Sequence, residues 1–210
     1  MTDFLLYHIT NIQNLESILR SGALLCKNQV DKQNLNYRSI AYEEIQERRH
    51  QTSVPFPPFG TLHDYIPFHF APRSPMLYAI DRGYVDNYND GQDRIIYIVV
   101  KLSEVIDAEL PFVFTDGHPI VAFSDFFNDV NLLSQRIDWN LMEDRYWSDT
   151  DDDPDRKRRR QAEFLVFQQA PLSLISGFAV YDRHIKAEVE NVAQRYNLNT
   201  LCKIKREWYY

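Results

Sequence analysis

The clearest β-strand of this sequence is Arg94-Ile95-Ile96-Tyr97-Ile98-Val99-Val100-Lys101-Leu102. Its centre is an unbroken run of Ile, Val and Tyr, residue types that favour a pleated and half-buried surface. Shorter runs of the same kind predict further strands on both sides of it, over residues 4–9, 65–70, 112–114, 162–167, 177–181 and 201–204. Pro67 has no backbone N–H to donate, which indicates an edge strand or a bulge at that position.

Helices are predicted between these strands. Asn11 and Gly22 have the residue types of the N-cap and the C′ position of one helix. Ser74 and Pro75 have those of the N-cap and first position of another. Apolar periodicity predicts further helical segments over residues 40–49, 122–147 and 185–196, and loops over 54–60 and 148–156. The sequence therefore predicts one α+β domain over residues 1–210, with a central, largely antiparallel or mixed sheet.

Composition is typical of a globular protein, with 44% hydrophobic and 25% charged residues. We find no signal-peptide pattern at the N-terminus and no apolar run near the roughly 20 residues that span a bilayer. Cys26 and Cys202 lack metal-site spacing, so we expect reduced thiols and a cytoplasmic location. The net charge of −7 disfavours a protein that coats nucleic acid, but acidic and basic residues are segregated, which leaves a local groove possible.

His8 and Thr10 end the first predicted strand. Residues two apart on a strand point to the same face, so both side chains can reach one ligand. A structural role is the more common one for a histidine at such a position. A binding function is therefore the minor alternative when these residues are taken alone.

Glu163 interrupts an apolar strand, Gln161-Ala162-Glu163-Phe164-Leu165-Val166-Phe167. Alternation places Glu163 on the same face as Leu165 and Phe167, and a buried carboxylate needs either a partner or a purpose. A catalytic carboxylate and a salt bridge to an arginine, of which residues 156–160 offer several, explain the pattern equally well.

Two charged segments have simpler explanations. The basic end of the 40–49 helix suits the helix dipole and a solvated face. The acidic run at residues 149–155 lacks the glycine and distal glutamate of a calcium loop, so we expect a surface loop and no metal site. Glycine-rich phosphate-binding motifs are absent from the sequence, which contains six glycines.

Segments spread over the chain, taken in order, resemble the DarT family, the toxin component of DarT–DarG toxin–antitoxin systems. The matching segments are Tyr7-His8-Ile9-Thr10, Asn14-Leu15, Ile18-Leu19-Arg20-Ser21-Gly22, Arg38-Ser39-Ile40-Ala41-Tyr42, Gln46-Glu47-Arg48-Arg49, Leu62-His63-Asp64-Tyr65-Ile66-Pro67-Phe68, Pro72-Arg73-Ser74-Pro75-Met76-Leu77-Tyr78-Ala79-Ile80, Pro111-Phe112-Val113-Phe114-Thr115-Asp116, Gln161-Ala162-Glu163-Phe164-Leu165-Val166 and Trp208-Tyr209-Tyr210. No single segment is diagnostic, whereas the ordered set is specific.

The resemblance implies an ADP-ribosyltransferase-like fold and transfer of ADP-ribose from NAD, consumed as co-substrate, to single-stranded DNA. It favours the thymidine-modifying branch over the guanosine-modifying one, and it implies a DarG-type macrodomain antitoxin as partner. It assigns catalysis to Glu163 and Arg49. It assigns NAD contacts to His8, Ile9, Thr10, Ser17, Leu25 and Arg49. Residues 29–50 would close over NAD, and residues 115–163 would face the substrate. Tyr78 is a candidate for stacking on NAD, with core packing as the alternative.

The chemistry of the expected reaction agrees with these residue types. A carboxylate at Glu163 would stabilise the positive charge that develops on the ribose. Arginine side chains stay protonated in proteins, so Arg49 would stabilise a thymine anion or clamp the NAD pyrophosphate and would not act as a simple base. For DNA binding we expect contacts from Tyr146, Trp147, Arg156, Arg158 and Arg159, although a solvated basic loop explains the arginines equally well. Transfer to protein and a non-catalytic nucleic-acid-binding module remain the alternative functions.

Overall fold

The computed structural model describes residues 4–210, in which a mixed sheet with helices on both faces forms the framework. Residues 1–3, which belong to the segment that lacks a signal-peptide pattern, lie outside this range. The strands are β1 (Leu5–Asn11), β2 (Ala23–Leu25), β3 (Tyr65–His69), β4 (Ile95–Lys101), β5 (Phe112–Thr115), β6 (Phe126–Phe127), β7 (Glu163–Phe167), β8 (Gln169–Pro171), β9 (Ile175–Val180) and β10 (Leu201–Ile204). The helices are α1 (Leu15–Ser21), α2 (Lys27–Lys32), α3 (Glu43–Gln51), α4 (Pro75–Asp81), α5 (Leu102–Asp107), α6 (Leu133–Arg136), α7 (Trp139–Glu143), α8 (Arg156–Arg160) and α9 (Arg183–Arg195).

Eight strands form the main sheet in the order β10-β9-β4-β1-β3-β7-β5-β6, and β2 pairs with β8 in a separate ribbon. Most neighbours are antiparallel, while β10 runs parallel to β9. This arrangement confirms the predicted α+β class with a mixed sheet. No helix formed by residues 4–210 has the length and apolar character needed to cross a membrane.

The sheet is nearly divided between β1 and β3. These strands pair only at Tyr7 and His69, whereas β1 pairs with β4 along all seven residues of β1. Pro67 lies in this gap, and its carbonyl accepts a hydrogen bond from Nδ1 of His8 at 2.9 Å. The prediction of an edge strand or bulge at Pro67 was therefore wrong. A proline is tolerated inside the sheet because the backbone ladder is replaced there by a side chain.

The division also separates the apolar clusters on one face of the sheet. The opposite face carries the largest cluster, which includes Leu15 of α1, Val105 of α5 and Val189 of α9. On the divided face, one cluster surrounds the side chain of Tyr97 and another surrounds that of Tyr65. The space between these two clusters is open, and the candidate site lies there.

Local end signals account for several element boundaries. The side chain of Ser74 accepts a hydrogen bond from the backbone N–H of Leu77, as expected for the N-cap of α4. Gly22 ends α1 in the left-handed conformation, with φ of +77°. The helix predicted over residues 40–49 begins three residues later, at Glu43, and the sequence patterns did not predict α2, α5, β2 or β8.

Candidate active site

A cleft opens where β1 and β3 separate, and α1, β2, α2 and α3 surround it. Apolar side chains from both clusters of the divided face contribute to it, among them Ile40 and Tyr65. Six positions to which the family resemblance assigned NAD contacts line this one cleft: His8, Ile9, Thr10, Ser17, Leu25 and Arg49. The structure thus brings together residues that are up to 41 positions apart in the sequence.

Arg49 joins the cleft to Glu163. Its guanidinium donates two parallel hydrogen bonds to the carboxylate, Nη1 to Oε1 and Nη2 to Oε2, each 2.9 Å long. Arg49 and Glu163 expose only 7% and 5% of their surface. The sequence left a catalytic carboxylate and a buried salt bridge as alternatives for Glu163, and the structure contains the salt bridge. Its partner is the second predicted catalytic residue, not an arginine of residues 156–160.

This ion pair keeps Glu163 ionised. Burial alone raises the pKa of the carboxyl group, but the charge of Arg49 and its hydrogen bonds outweigh burial, and the net pKa lies below the usual value. A carboxylate has about four lone-pair positions, so the two bonds from Arg49 leave acceptor capacity for a ligand hydroxyl. The backbone N–H of Glu163 donates to Oγ1 of Thr115 at 3.2 Å, which fixes the start of β7 against β5.

His8 and Thr10 offer complementary hydrogen-bonding groups to the cleft. Because Nδ1 of His8 donates to a carbonyl, Nε2 of the neutral ring is an acceptor, and burial lowers the pKa of His8 to about 4. Oγ1 of Thr10 accepts from Nδ2 of Asn14 at 2.9 Å, so the hydroxyl hydrogen is available to a ligand. Asn14 also bonds both backbone groups of Arg38. This links the connection between α2 and α3 to β1.

Two further histidines of the cleft have a buried ring nitrogen without a hydrogen-bond partner: Nε2 of His63 and Nδ1 of His69. Burial is the main reason that the pKa of each ring falls to about 4. A buried polar atom without a partner is costly. Polar groups of a bound molecule would satisfy such atoms, so the cleft fits a polar ligand such as a ribose or a carboxamide.

The loop over residues 116–125 extends from β5 beside Glu163. Its ends meet through the backbone of Asp116 and Asp125, and Nη2 of Arg48 donates to the carbonyl of Ile120 at 3.0 Å. His118 lies within this loop, where burial, opposed by the nearby Glu163, lowers its pKa to about 4. The loop therefore lies beside the start of β7, with neutral and cationic side chains near the Glu163 carboxylate.

Two predicted site residues have other surroundings. Tyr78 is not among the residues that line the cleft, and its ring packs against Trp147 and Tyr210 at centroid distances of 5.7 and 5.1 Å. Trp147 is buried, and its indole N–H donates to the Tyr210 hydroxyl at 2.6 Å. For Tyr78 the structure agrees with the core-packing alternative. For Trp147 it leaves no exposed ring face that would stack on a base.

The predicted DNA contacts near α8 are held within the protein. Arg156 pairs with Asp144, Arg158 with Asp116 and Asp155, and Arg159 with Asp138, Asp153 and Asp155. The basic run is a short helix, and the acidic run that precedes it supplies many of the partners. The interpretation of residues 156–160 as a solvated basic loop was therefore wrong. Among the five predicted DNA contacts, Tyr146 has a largely exposed ring, at 76%.

Several cleft residues were not singled out in the sequence, among them His63, His69 and Asn14. A histidine between apolar strand residues attracts attention only when its neighbours in space are known. The register of β3 on β7, which places His69 opposite Glu163, supplies that information. In residues 4–210 no group of three or more His, Cys, Asp or Glu side chains is arranged to hold a metal ion.

Comparison with known proteins agrees with this geometry. The family model of "ssDNA thymidine ADP-ribosyltransferase, DarT" matches residues 7–210. A DNA ADP-ribosyl transferase of Thermus sp. strain 2.9 is 44% identical over 208 residues, which are 98% of this chain and 95% of that protein. A fusion of a DNA ADP-ribosyl transferase with a DNA ADP-ribosyl glycohydrolase, from Thermosipho africanus, is 22% identical over 193 residues, which are 92% of this chain and 46% of the fusion protein.

Two solved structures of Thermus sp. 2.9 DarT share the fold over nearly their whole length. The complex with ADP-ribosylated ssDNA has a TM-score of 0.92 and 42% identity, and the match covers 99% of this chain and 96% of that one. The complex with NAD+ has a TM-score of 0.90 and 39% identity, with 100% and 99% covered. The cleft, its paired Arg49 and Glu163 and the family match lead to one assignment. The chain belongs to the DarT family of single-stranded DNA thymidine ADP-ribosyltransferases.

Proposed function

We propose that this chain transfers the ADP-ribosyl group of NAD to the thymine base of thymidine in single-stranded DNA, with Glu163 and Arg49 at the reacting centre. The observation that carries the proposal is the buried pair of Arg49 and Glu163 beside a cleft that His8, Thr10 and Ser17 line. The Thermus relative with this fold binds NAD+ and ADP-ribosylated ssDNA in its solved structures, which supports the same ligands for this chain.

Glu163 stabilises the charge that develops when the bond from ribose to nicotinamide breaks. Cleavage of that bond gives an oxocarbenium-like sugar, and a carboxylate that accepts a hydrogen bond from a ribose hydroxyl opposes the positive charge. The low pKa of Glu163 keeps it ionised at neutral pH. Nε2 of His8 accepts a hydrogen bond from a ribose hydroxyl, and the Thr10 hydroxyl donates one to the nicotinamide end.

Arg49 has two roles in this scheme. It orients the Glu163 carboxylate through its two hydrogen bonds. It also places a positive charge beside the position that the target base must reach, which lowers the cost of a thymine anion at N3. A guanidinium does not accept that proton. Glu163 or solvent accepts it.

DNA approaches from the side of the 116–125 loop, where Arg48 and the exposed Lys157 lie near His118. Arg156, Arg158 and Arg159 contact phosphates only by exchanging carboxylate partners, so in the unbound protein they contribute through the shape of the loop. Tyr146 is exposed and offers a further ring to the strand.

Residues 1–210 act as one domain in this proposal. The Thermosipho fusion joins a relative of this chain to a DNA ADP-ribosyl glycohydrolase, which supports a toxin role with a DarG-type macrodomain protein as the antitoxin. NAD and single-stranded DNA meet in the bacterial cytoplasm, and we place the protein there.

The test is incubation with NAD and single-stranded oligonucleotides that contain thymidine or guanosine, followed by mass spectrometry. We expect an ADP-ribose adduct on thymidine, lowered about 10²- to 10³-fold in Glu163→Gln and unchanged in the remote control Glu188→Gln. An adduct on guanosine alone, or on proteins of a lysate with every oligonucleotide unmodified, would contradict the proposal. The absence of any adduct would favour a non-catalytic binding module.

A further inference from the structure

Phe123 presents an aromatic ring to solvent on the loop that follows β5. It exposes 69% of its surface, near the second end of the 116–125 loop. The loop connects β5 to β6, and β5 ends against the start of β7, where Thr115 accepts the hydrogen bond from the backbone of Glu163. The ring of Phe123 is thus carried by the segment that borders the Glu163 carboxylate.

The guanidinium of Arg158 packs against one face of this ring. Its guanidinium carbon lies 5.1 Å from the centroid of Phe123, in a cation–π arrangement. The guanidinium is itself fixed, since it donates two hydrogen bonds to Asp155, at 2.8 and 2.7 Å, and one each to Asp116 and Ser124. A ring held on one face by such a network loses little conformational freedom when its other face is covered.

Close approach of Arg158 depends on a glycine. A Cβ atom at Gly117 would lie 2.3 Å from Nη1 of Arg158 and 2.9 Å from its Cγ. The carbonyl of Arg158 also accepts from the backbone of His118 at 3.0 Å. The Arg158 side chain therefore packs closely against the main chain of the loop and also contacts the Phe123 ring.

We propose that the outer face of Phe123 stacks on the base next to the modified thymidine, with Arg158 as the positioning residue of this stacking platform. The inference rests on the proposed function, because a single-stranded DNA substrate supplies unstacked bases. Every base has a π-face, so aromatic stacking holds a single strand without reading its sequence. Arg48 and Lys157, near His118, supply positive charge for the backbone of the same strand.

The experiment combines enzyme variants with altered oligonucleotides. Wild type, Phe123→Ala and Phe123→Trp are assayed on an oligonucleotide with one thymidine, and on versions with an abasic site on its 5′ or its 3′ side. The substitution removes one base–aromatic stacking contact, so we expect kcat/KM of Phe123→Ala to fall about tenfold on the intact strand. An abasic site on one side should lower kcat/KM of wild type by a similar factor and leave kcat/KM of Phe123→Ala unchanged. Phe123→Trp should keep wild-type kcat/KM on the intact strand.

Arg158→Ala should also have a lower kcat/KM than wild type on the intact strand. On the abasic strand that lowers the activity of wild type, the two proteins should be equally active. NAD titration is the control for an intact NAD site, and the Kd for NAD should stay within twofold in every variant. Leu201→Ala, which alters an exposed side chain on β10 at the opposite edge of the sheet, should match wild type throughout.

If Phe123→Ala lowers kcat/KM by the same factor on the intact strand and on both abasic strands, the stacking proposal is wrong. Full activity of Phe123→Ala on the intact strand would also overturn it, in which case the exposed ring serves a different partner. Failure of wild type to modify any oligonucleotide would instead contradict the proposed function. The two failures are therefore distinguishable.

Discussion

At the scale of single residues, the Arg49–Glu163 pair is the most constrained feature of the site. Removing two charges from water is expensive, and a buried ion pair seldom contributes net stability over an apolar pair of similar volume. Its retention in an otherwise apolar strand is explained by chemistry at the cleft. The pair keeps a carboxylate ionised and oriented where burial alone would favour its neutral form.

The fork geometry of Arg49 should matter as well as its charge. Lysine keeps the charge but cannot donate two parallel hydrogen bonds to one carboxylate. We expect Arg49→Lys to lower kcat for DNA modification about 10- to 100-fold while NAD binding persists, because Glu163 loses its orientation. Steady-state kinetics and NAD titration measure both quantities.

Arg94→Lys is the matched control, because Arg94 makes a two-pronged pair with Glu188 away from the cleft. It should have wild-type kinetics. Nearly full activity of Arg49→Lys would show that charge alone suffices.

The same pairs permit a comparison of stability. Glu163→Gln leaves the Arg49 charge buried without a counter-ion, which costs about 3–5 kcal/mol in free energy of unfolding. Glu188→Gln breaks a half-exposed pair, worth about 0–1 kcal/mol. Urea unfolding of both variants measures the difference. Equal losses would show that the cleft admits enough water to solvate Arg49.

At the scale of elements, the near-division of the sheet between β1 and β3 creates the site. A complete antiparallel ladder would fill this space with backbone hydrogen bonds. Pro67 removes one donor, and His8 occupies the gap with its ring. The cleft therefore exists because two strands of one sheet separate beyond a single pair of residues.

The turn after α1 is a second element that shapes the cleft, because it leads directly into β2. Gly22 adopts a φ of +77°, and a Cβ atom there would meet nothing within 4 Å. Gly22→Ala should lower the free energy of unfolding by about 1–2 kcal/mol through backbone strain alone. Gly22→Asn should lose less, since Asn tolerates the left-handed region. Chemical denaturation gives both values, and equal stability of all three proteins would show that the turn relaxes.

At the scale of the whole molecule, charge is organised by pairing. The net charge is −7, yet the acidic run that ends at Asp155 neutralises part of the basic run of α8, which begins at the next residue. Near the site, Arg49 is neutralised by Glu163, and Arg48 and Lys157 supply the remaining positive charge. A strand of DNA therefore meets a local positive field on a protein that is acidic as a whole.

Four histidines with depressed pKa values surround the site: His8, His63, His69 and His118, each near a pKa of about 4. The unfolded chain binds protons on these rings near pH 6.5 and the folded chain does not. The contribution of these rings to the free energy of unfolding should therefore be greatest above pH 6.5 and fall as the pH drops towards 4.

Replacement of a buried ring tests this prediction. Wild type should lose free energy of unfolding between pH 7 and pH 4. His69→Gln should reduce that loss by on the order of 3 kcal/mol, because one titrating group is removed. His184→Gln, at an exposed position of α9, should leave the loss unchanged. Urea unfolding at both pH values measures it. A pH dependence identical to wild type in His69→Gln would show that this ring is already protonated in the folded state.

Local patterns predicted a large part of the fold. The N-cap at Ser74 and the turn at Gly22 depend on interactions within a few residues, and the strand at residues 94–102 has a strong local β-propensity. The structure has all three where the sequence placed them. The short elements α2, β2 and β8 were not predicted. Their residues have weak periodicity, and β2 and β8 are stabilised by pairing with each other.

The sequence by itself determined most strands of the main sheet, the N-terminal end of α4, the C-terminal end of α1 and the presence of a carboxylate in an apolar strand. Only the tertiary structure decided that Glu163 pairs with Arg49, 114 residues away, and that Pro67 lies inside the sheet. It also decided that α8 is neutralised by its neighbours. The physical reason is that periodicity and capping act over a few residues, whereas ion pairing and strand order depend on how distant segments pack.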